Sequence, residues 1–450
     1  MTRADFTLEV GTQQDVVTVA ATSPLVEFSD KVNSYVDHRR IVDLPLSGRD
    51  FNSLLGVTPG VQRLPGGGFL SVSIAGARAT SNNYMVDGIP NNDRYYGESV
   101  VNQTGVLGVP ATLVPMDAIA EFTVQQTPSA DLQTPNYHYF HVTLQREVFT
   151  NNIVTAAYIG GRGRELNMYR GINATPLGSG GGQELRPFAA ECPDLDHIIQ
   201  LTNDGKSWYD SLQLSYRQSA WRGINSQYNV TLSRSVDYVS VDRGSRSSFP
   251  QASVPYDPEN NKGPCDYDVR ANFNAGGVYD LPPLGGVRFG SGWQVATVFT
   301  ALSGRPFTPN IGGRDRSGQG IGAIRANCHG EIEYNPQDPD RYVANAAVAF
   351  SDPPPGTLGT CGRNAGRLPG LVQWDLSILK GLMLKNDVRL QFRWEVFNLL
   401  NRANFGSLQS TSVLSGSFGT IRSTPDVDAT NPVLSQGGAR SMQWAVKILF

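Results

Sequence analysis

The sequence predicts an all-β, or mainly β, protein whose second part is an antiparallel membrane-spanning barrel. Three observations predict it: long runs that alternate apolar and polar residues, an alternation of short and long connections, and a last strand that ends on an aromatic. In that strand Met442, Trp444, Val446, Ile448 and Phe450 point one way and Ser441, Gln443, Ala445 and Lys447 the other. A strand with one oily face requires this period of two. A soluble strand seldom ends on an exposed Phe, whereas the final strand of an outer-membrane barrel sets its apolar side against lipid. Trp444, Val446, Ile448 and Phe450 are therefore the expected assembly signal of the barrel.

Composition agrees. Of 450 residues, 40% are hydrophobic and only 17% charged, with 48 Gly and 28 Pro, which suits strands and loops better than helices. A net charge of −3 offers no broad basic surface, so nucleic acid is not an expected partner. No run approaches the roughly 18 apolar residues of a membrane helix. The mean hydropathy of −0.27 does not argue against a membrane, because a barrel strand averages its two faces. The N-terminus, MTRADFTLEV, lacks a basic region followed by an apolar core, so an exported chain is expected to depend on an upstream segment or to be a fragment.

The two parts of the chain differ in texture. All six Trp lie after position 200, whereas the first 130 residues are small, polar and punctuated by Gly. A boundary is expected near Asp131 to Pro135. Beyond it the alternation places strands near 138–146, 152–161, 207–217, 224–236, 269–280, 292–303, 371–380, 388–400 and 438–450. The short links 147–151, 218–223, 281–291 and 381–387 alternate with the long ones 162–206, 237–268, 304–370 and 401–437. Barrels of the outer membrane have short periplasmic turns and long extracellular loops, so this alternation gives every strand a direction. It sends the last strand down to the periplasm. Nine strands are odd, so at least one upward strand is expected to be missing. Trp208 and Trp374 are expected to open their strands at an interfacial aromatic belt. A soluble β-sandwich also alternates, but it has no reason to alternate its loop lengths.

Several stretches of the first part resemble the plug of TonB-dependent outer-membrane receptors, specifically the Oar-like group with a carboxypeptidase-regulatory-like N-terminal domain. Leu44-Pro45-Leu46-Ser47-Gly48-Arg49-Asp50-Phe51, followed by Thr58-Pro59-Gly60-Val61, carries the first match. Ile74-Ala75-Gly76-Ala77-Arg78 and Tyr84-Met85-Val86-Asp87-Gly88-Ile89-Pro90 carry the second, and Val114 to Val124 the third. In the second part Leu144 to Glu147, Ala157 to Gly160, Ser303 to Phe307 and Phe397 to Asn401 are similar to the same family.

The resemblance implies residues 1–20 as the tail of the regulatory-like domain, 21–133 as a plug-like α+β domain, and 134–450 as a partial barrel. It implies energised uptake of an unidentified extracellular substrate, with the TonB complex, the barrel-assembly machinery and outer-membrane lipid as partners. The family usually has a glycine-rich stretch after the plug and a barrel of about 22 strands, in the size range of large outer-membrane barrels. Neither is evident here, so a truncated and internally shortened copy is expected.

Candidate chemistry is sparse. Leu44, Pro45, Gly48, Arg49, Phe51, Pro59, Gly60, Gly76, Arg78, Asp87 and Gly88 are the plug-motif residues. Arg49 and Arg78 either meet carboxylates of the inner wall or stay solvated. Asp87-Gly88 suits a turn, since Gly permits positive φ and Asp bonds nearby backbone. The long loops 237–268 and 304–370 are the expected sites of substrate capture. Cys192, Cys265, Cys328 and Cys361 lack metal-binding spacing, and Cys328 with Cys361, in one loop, is the expected disulfide. His138 and His141 face opposite sides of one strand and do not share a metal easily. Gly66 to Gly68 and Gly178 to Gly182 lack the Lys-Ser/Thr of a phosphate cradle and read as loops. Neither a catalytic set nor a cofactor site emerges. A non-transporting surface-binding barrel and, more weakly, a secreted β-sandwich enzyme are the competing functions.

Overall fold

The computed structural model describes residues 136–191, 193, 199–240, 256–283, 290–319, 325–384, 388–428 and 436–449. Before residue 136 it describes the short pieces 34–37, 43–45, 58–63, 72–76, 85–86, 89–90 and 121–124.

These pieces contribute three small antiparallel pairs. β1 (Ser34–Asp37) pairs with β6 (Glu121–Val124), β2 (Val61–Arg63) with β3 (Val72–Ile74), and β4 (Met85–Val86) with β5 (Ile89–Pro90). The main sheet begins with β7 (Asn136–Phe149), β8 (Asn152–Gly171), β9 (Ile199–Trp221), β10 (Ile224–Asp237) and β11 (Gly263–Pro264). It continues with β12 (Ala271–Asp280) and β13 (Trp293–Leu302). Four two-residue strands follow in the loop region: β14 (Pro306–Phe307), β15 (Asn327–Cys328), β16 (Phe350–Ser351) and β17 (Gly366–Arg367). β18 (Leu371–Met383), β19 (Arg389–Phe397) and β20 (Ser441–Leu449) end the sheet.

The order across the sheet is β20-β19-β18-β13-β12-β10-β9-β8-β7, with the short β11 also on β10, and every pairing is antiparallel. Sequential strands are therefore neighbours throughout, as in an up-and-down meander. The edge strands β7 and β20 run in the same direction and, among the described residues, do not pair with each other.

Register turns the alternation of each strand into two continuous surfaces. One row runs Leu144–Ala156–Leu214–Val230–Phe273–Ala301–Val372 across seven strands. The row beside it runs Gln145–Thr155–Ser215–Asn229–Asn274–Thr300–Gln373. Lower down, Ile224, Tyr279, Val295, Ile378, Trp394 and Trp444 line up on the apolar side. That side is bare: Leu144 is 73% exposed, Leu232 49% and Trp444 77%. The polar side is the covered one, with Ser211, Asn229, Thr231, Asn274, Gln373 and Asp375 buried. This inverts the layout of a water-soluble sheet. Each bare Leu, Val, Phe or Trp gains on the order of 1.5–3 kcal/mol when removed from water, and hydrocarbon is the medium that removes them all together.

All nine expected strands are present. Their boundaries depart from the alternation most in β8 and β9, which run on to Gly171 and from Ile199 into the segment expected to be a loop. The reason lies in the sequence: bulges between Gly163 and Met168 shift the register, and above Trp208 the outward residues are Lys206 and Asp204. The hairpin thus continues beyond the apolar band with polar residues outside. Trp208 accordingly does not open β9 but lies within it, and Trp374 is the fourth residue of β18. The short turns at 150–151 and 222–223 use positive φ at Asn151, Arg222 and Gly223.

The long connections fold together. Phe307, Ile311, Tyr342, Phe350, Leu408, Phe418 and Ile421 form one buried cluster drawn from the loops after β13 and β19. Cys361 belongs to this cluster and is disulfide-bonded to Cys328, which packs against it, closing a separation of 33 residues. A loop of that length is worth on the order of 3–4 kcal/mol in the chain-entropy account. Cys265 is free and buried, and Cys192 lies outside the described residues.

Adjacent residues on opposite faces give a direct check. Leu144→Lys and Trp444→Asp place charge on the bare apolar face and destabilise the sheet, by about 2–4 kcal/mol for a Lys near mid-bilayer, whereas Gln145→Lys on the polar face is tolerated. Heat-modifiable gel migration of membranes carrying each variant reads this, and equal band shifts for all three would contradict the two-faced sheet.

Candidate functional site

The covered face of the sheet carries the hairpin β2–β3. It forms because Gly60 and Gly76 adopt φ of +74° and +77°, a region that favours glycine, and Ala75 N–H donates to Gly60 carbonyl at 3.0 Å. Val61 and Val72 are fully buried with Ile74 packed on them.

The hairpin meets the wall through neutral polar groups. Gln62 Nε2 donates to Ser233 Oγ at 2.5 Å and to the Val269 carbonyl at 3.2 Å. Gly60 N–H donates to Thr231 Oγ1 at 3.3 Å, and Asn272 Nδ2 donates to the Val61 carbonyl at 3.0 Å. Tyr267 hydroxyl donates to the Gly76 carbonyl at 3.4 Å. Ala75 packs with Ile159 and Tyr209 on the wall. The fit is close enough that a Cβ on Gly76 would overlap the Tyr209 ring, and one on Gly60 the amide of Gln213.

Such bonds exchange readily with water. Each contributes a net of roughly 0.5–1.5 kcal/mol, so the set holds the hairpin by a few kcal/mol. Among the described residues, Gln62 Oε1 and Asn274 Oδ1 are buried there without a hydrogen-bond partner. The seat is therefore specific in shape and incompletely satisfied in polarity, which favours retention without permanence.

One charged contact joins the first part to the wall on the far side. Arg393 guanidinium lies 3.9 Å from Asp43 and 3.6 Å from Glu395, and Leu44 beside it is 1% exposed. The carboxylate comes from the N-terminal part and the cation from the wall, the reverse of the polarity considered for Arg49 and Arg78. The pattern of motif arginines gave no signal for Asp43. Asp375 nearby accepts from Gln373 Nε2 at 2.9 Å and from Asn398 N–H at 2.8 Å.

Of the plug-motif residues, Leu44, Pro45, Pro59, Gly60 and Gly76 lie in the described pieces. Gly60 and Gly76 come together at the foot of the hairpin, and Leu44 and Pro45 lie beside Asp43, whose partner is Arg393. Gly48, Arg49, Phe51, Arg78, Asp87, Gly88 and Phe450 lie outside the described residues, although Met85 and Val86 pair with Pro90 and Ile89 on either side of Asp87-Gly88. His138 and His141 sit on β7, and among the described residues no group of three metal-ligating side chains assembles.

Above the wall, three arginines of the loop after β13 grip the loop after β10. Arg363 bonds Asp237 Oδ1 and the carbonyls of Asp237, Asn261 and Gly263, and lies 3.2 Å from Asp266. Burial opposes its charge, but Asp237 and Asp266 more than offset this, so its pKa is raised. Arg367 bonds Asp268 at 2.6 Å and Arg325 bonds Asn260. Burial pushes the thiol of Cys265 well above the ordinary range, with Asp237 adding to the effect, so it is a poor nucleophile and a poor metal ligand. The sequence points to these loops for capture but carries no sign of the clamp, because its partners are 65 to 126 residues apart.

A bare apolar band, a buried polar wall and loops folded at one end define a β-barrel-type membrane sheet. The outer membrane beta barrel domain family matches residues 66–443, and the chain belongs to it. The protein is thus an outer-membrane protein. Among solved structures, the outer membrane transporter YddB of Escherichia coli is similar at 14% identity and TM-score 0.38, over 70% of this chain and 33% of that one. The ferric enterobactin receptor PfeA of Pseudomonas aeruginosa, as a mutant in complex with enterobactin, is similar at 12% identity and TM-score 0.28, over 81% of this chain and 49% of that one. The same receptor in complex with BCV-L6 is similar at 13% identity and TM-score 0.27, over 92% and 54%. The chain thus spans between a third and just over half of the length of these proteins. No curated protein matches it.

Two outcomes test the seat and the clamp. Gly76→Ala raises amide exchange across Val61 and Val72–Ile74 by at least about 10-fold, whereas Gly180→Ala, also at positive φ but with nothing within 4 Å, leaves it unchanged. Equal exchange in both variants would remove the hairpin from its seat. Arg363→Met strands the buried Asp237 carboxylate at a cost of about 3–5 kcal/mol and exposes the loop after β13 to limited proteolysis. An unchanged digestion pattern would show that the clamp does not hold it.

Proposed function

We propose that the chain belongs to a TonB-dependent receptor of the Oar-like group, of which it carries the plug and barrel parts, made for energised uptake of an extracellular substrate. The observation that carries this reading is the β2–β3 hairpin seated on the inner wall by neutral hydrogen bonds and one Asp43–Arg393 contact. A blocking segment held by a few kcal/mol is displaced by a modest pull and returns unaided. The order of the plug-like motifs before the barrel supports the same reading, as does the folded loop end where a solute would first be bound. The proposed partners are the TonB complex on the periplasmic side, the assembly machinery that reads Trp444 to Phe450, and a solute of unidentified chemistry. Residues 1–20 belong, on this reading, to the tail of a carboxypeptidase-regulatory-like domain and 21–133 to the plug. No enzymatic step forms part of it.

A second reading is favoured by the loop end. The disulfide, the buried aromatic cluster and the Arg363 clamp make it rigid enough to serve as a binding surface in a barrel through which nothing passes.

Cells expressing the chain separate the two. Transport predicts that mass spectrometry finds at least one solute depleted from the medium, and that a protonophore or loss of TonB stops the depletion. Depletion or surface binding indifferent to both would support the second reading and overturn the first.

A further inference from the structure

The outward face of β8, β9 and β10 changes character just above the apolar band. Tyr158, Leu212 and Leu232 share one exposed outward row, and the next outward row is Gly160, Asp210 and Arg234, with Arg162 one outward position further along β8. Arg162 there is already paired with Asp210 at 2.9 Å, and Tyr158 hydroxyl donates to the same carboxylate at 2.7 Å. Three neighbouring cations are not so matched. Arg164 and Arg234 are exposed and have no carboxylate within ion-pair distance among the described residues. Lys262 is exposed and rests its ammonium 4.4 Å from the centre of the Trp208 ring. The carboxylates of this surface are engaged elsewhere: Asp210 with Arg162, Glu259 with Lys206 and Asp204 with Arg170, while Glu165 accepts from Asn136 Nδ2 and Asp257 from Glu259 N–H.

Register gives the spacing. Arg164 and Arg234 are separated by two strands and four positions, roughly 10 Å across and 13 Å along the sheet, with Lys262 over Trp208 between them. We propose that these three cations bind the headgroup of an outer-leaflet lipid carrying two phosphoryl groups, whose acyl chains lie on the apolar band below. A single phosphate spans too little to engage all three. The aromatic surface of Trp208 supports the sugar or glycerol body at the interface, where Trp is generally favoured. The unmatched positive charge stands where a lipid phosphate sits, not at the tip of a loop, and this makes a lipid the occupant in preference to a soluble anion. The inference rests on the membrane placement of the sheet and is independent of transport.

The test uses the full chain in nanodiscs doped with bis-phosphorylated lipid A, with bound lipid counted by native mass spectrometry. Each cation near a charged lipid surface is worth roughly 5-fold in affinity, so Arg164→Gln/Arg234→Gln/Lys262→Gln retains the lipid roughly 100-fold less well. Arg164→Lys/Arg234→Lys retains it. Fully dephosphorylated lipid A binds the wild type no better than the phosphorylated lipid binds the triple variant, and millimolar inorganic phosphate does not displace it. Heat-modifiable migration verifies folding. If the triple variant fails to fold, Lys262→Gln alone is read by Trp208 emission, which in the wild type changes on lipid addition as the ammonium leaves the ring. Equal retention by wild type and the triple Gln variant, or complete displacement by inorganic phosphate, would overturn the proposal, as would a Trp208 emission indifferent to lipid.

Discussion

Everything in this molecule depends on the backbone hydrogen bond in a medium that offers no substitute for it. In hydrocarbon an unpaired N–H or C=O costs several kcal/mol, so a strand is admitted only when both neighbours are in place. The antiparallel ladder from β7 to β20 meets this demand for every interior strand. Once the backbone is satisfied, side chains are free to sort by face, and the alternation of Leu144 with Gln145 or Leu214 with Ser215 becomes a membrane surface and an aqueous wall.

The wall then sets what can be held inside it. Hydroxyls and amides such as Thr231, Ser233 and Asn272 hold a hairpin with neutral bonds that water can replace, while a buried ion pair would grip harder and release less easily. The one charged contact described there, Asp43 with Arg393, is at 3.9 Å and is shared with Glu395, so its hold is diluted. At the opposite end the logic reverses. Asp237 is buried and bonded directly to the mostly covered Arg363, and the loops they join stay put. The molecule is thus tight at the mouth and yielding at the seat, consistent with the proposed receptor function.

The strands were legible in the sequence because lipid and water impose period two without interruption, and each of the nine expected runs corresponds to one strand of the main sheet. Legibility failed where that pressure ends. Beyond Trp208 the outward residues turn polar while the ladder continues, so the ends of β8 and β9 read as loop although their backbone pairing persists. The loop clamp was unreadable for another reason: Arg363, Arg367 and Arg325 find partners some 65 to 126 residues away, and no local pattern distinguishes a paired arginine from a solvated one. At the seat, Gly60 and Gly76 were marked by motif, but Gln62 and Asn272 were not, since an amide on a wall has no pattern until the wall has a register.

The most direct measurement is a spin-label scan through β10, residues 224–237, in lipid bilayers. Collision rates with oxygen should peak at Tyr228, Val230 and Leu232 and fall at Asn229, Thr231 and Ser233, alternating with a period of two. A flat profile, or maximal access of a water-soluble nickel reagent at Tyr228, Val230 and Leu232, would contradict the membrane sheet and everything placed upon it.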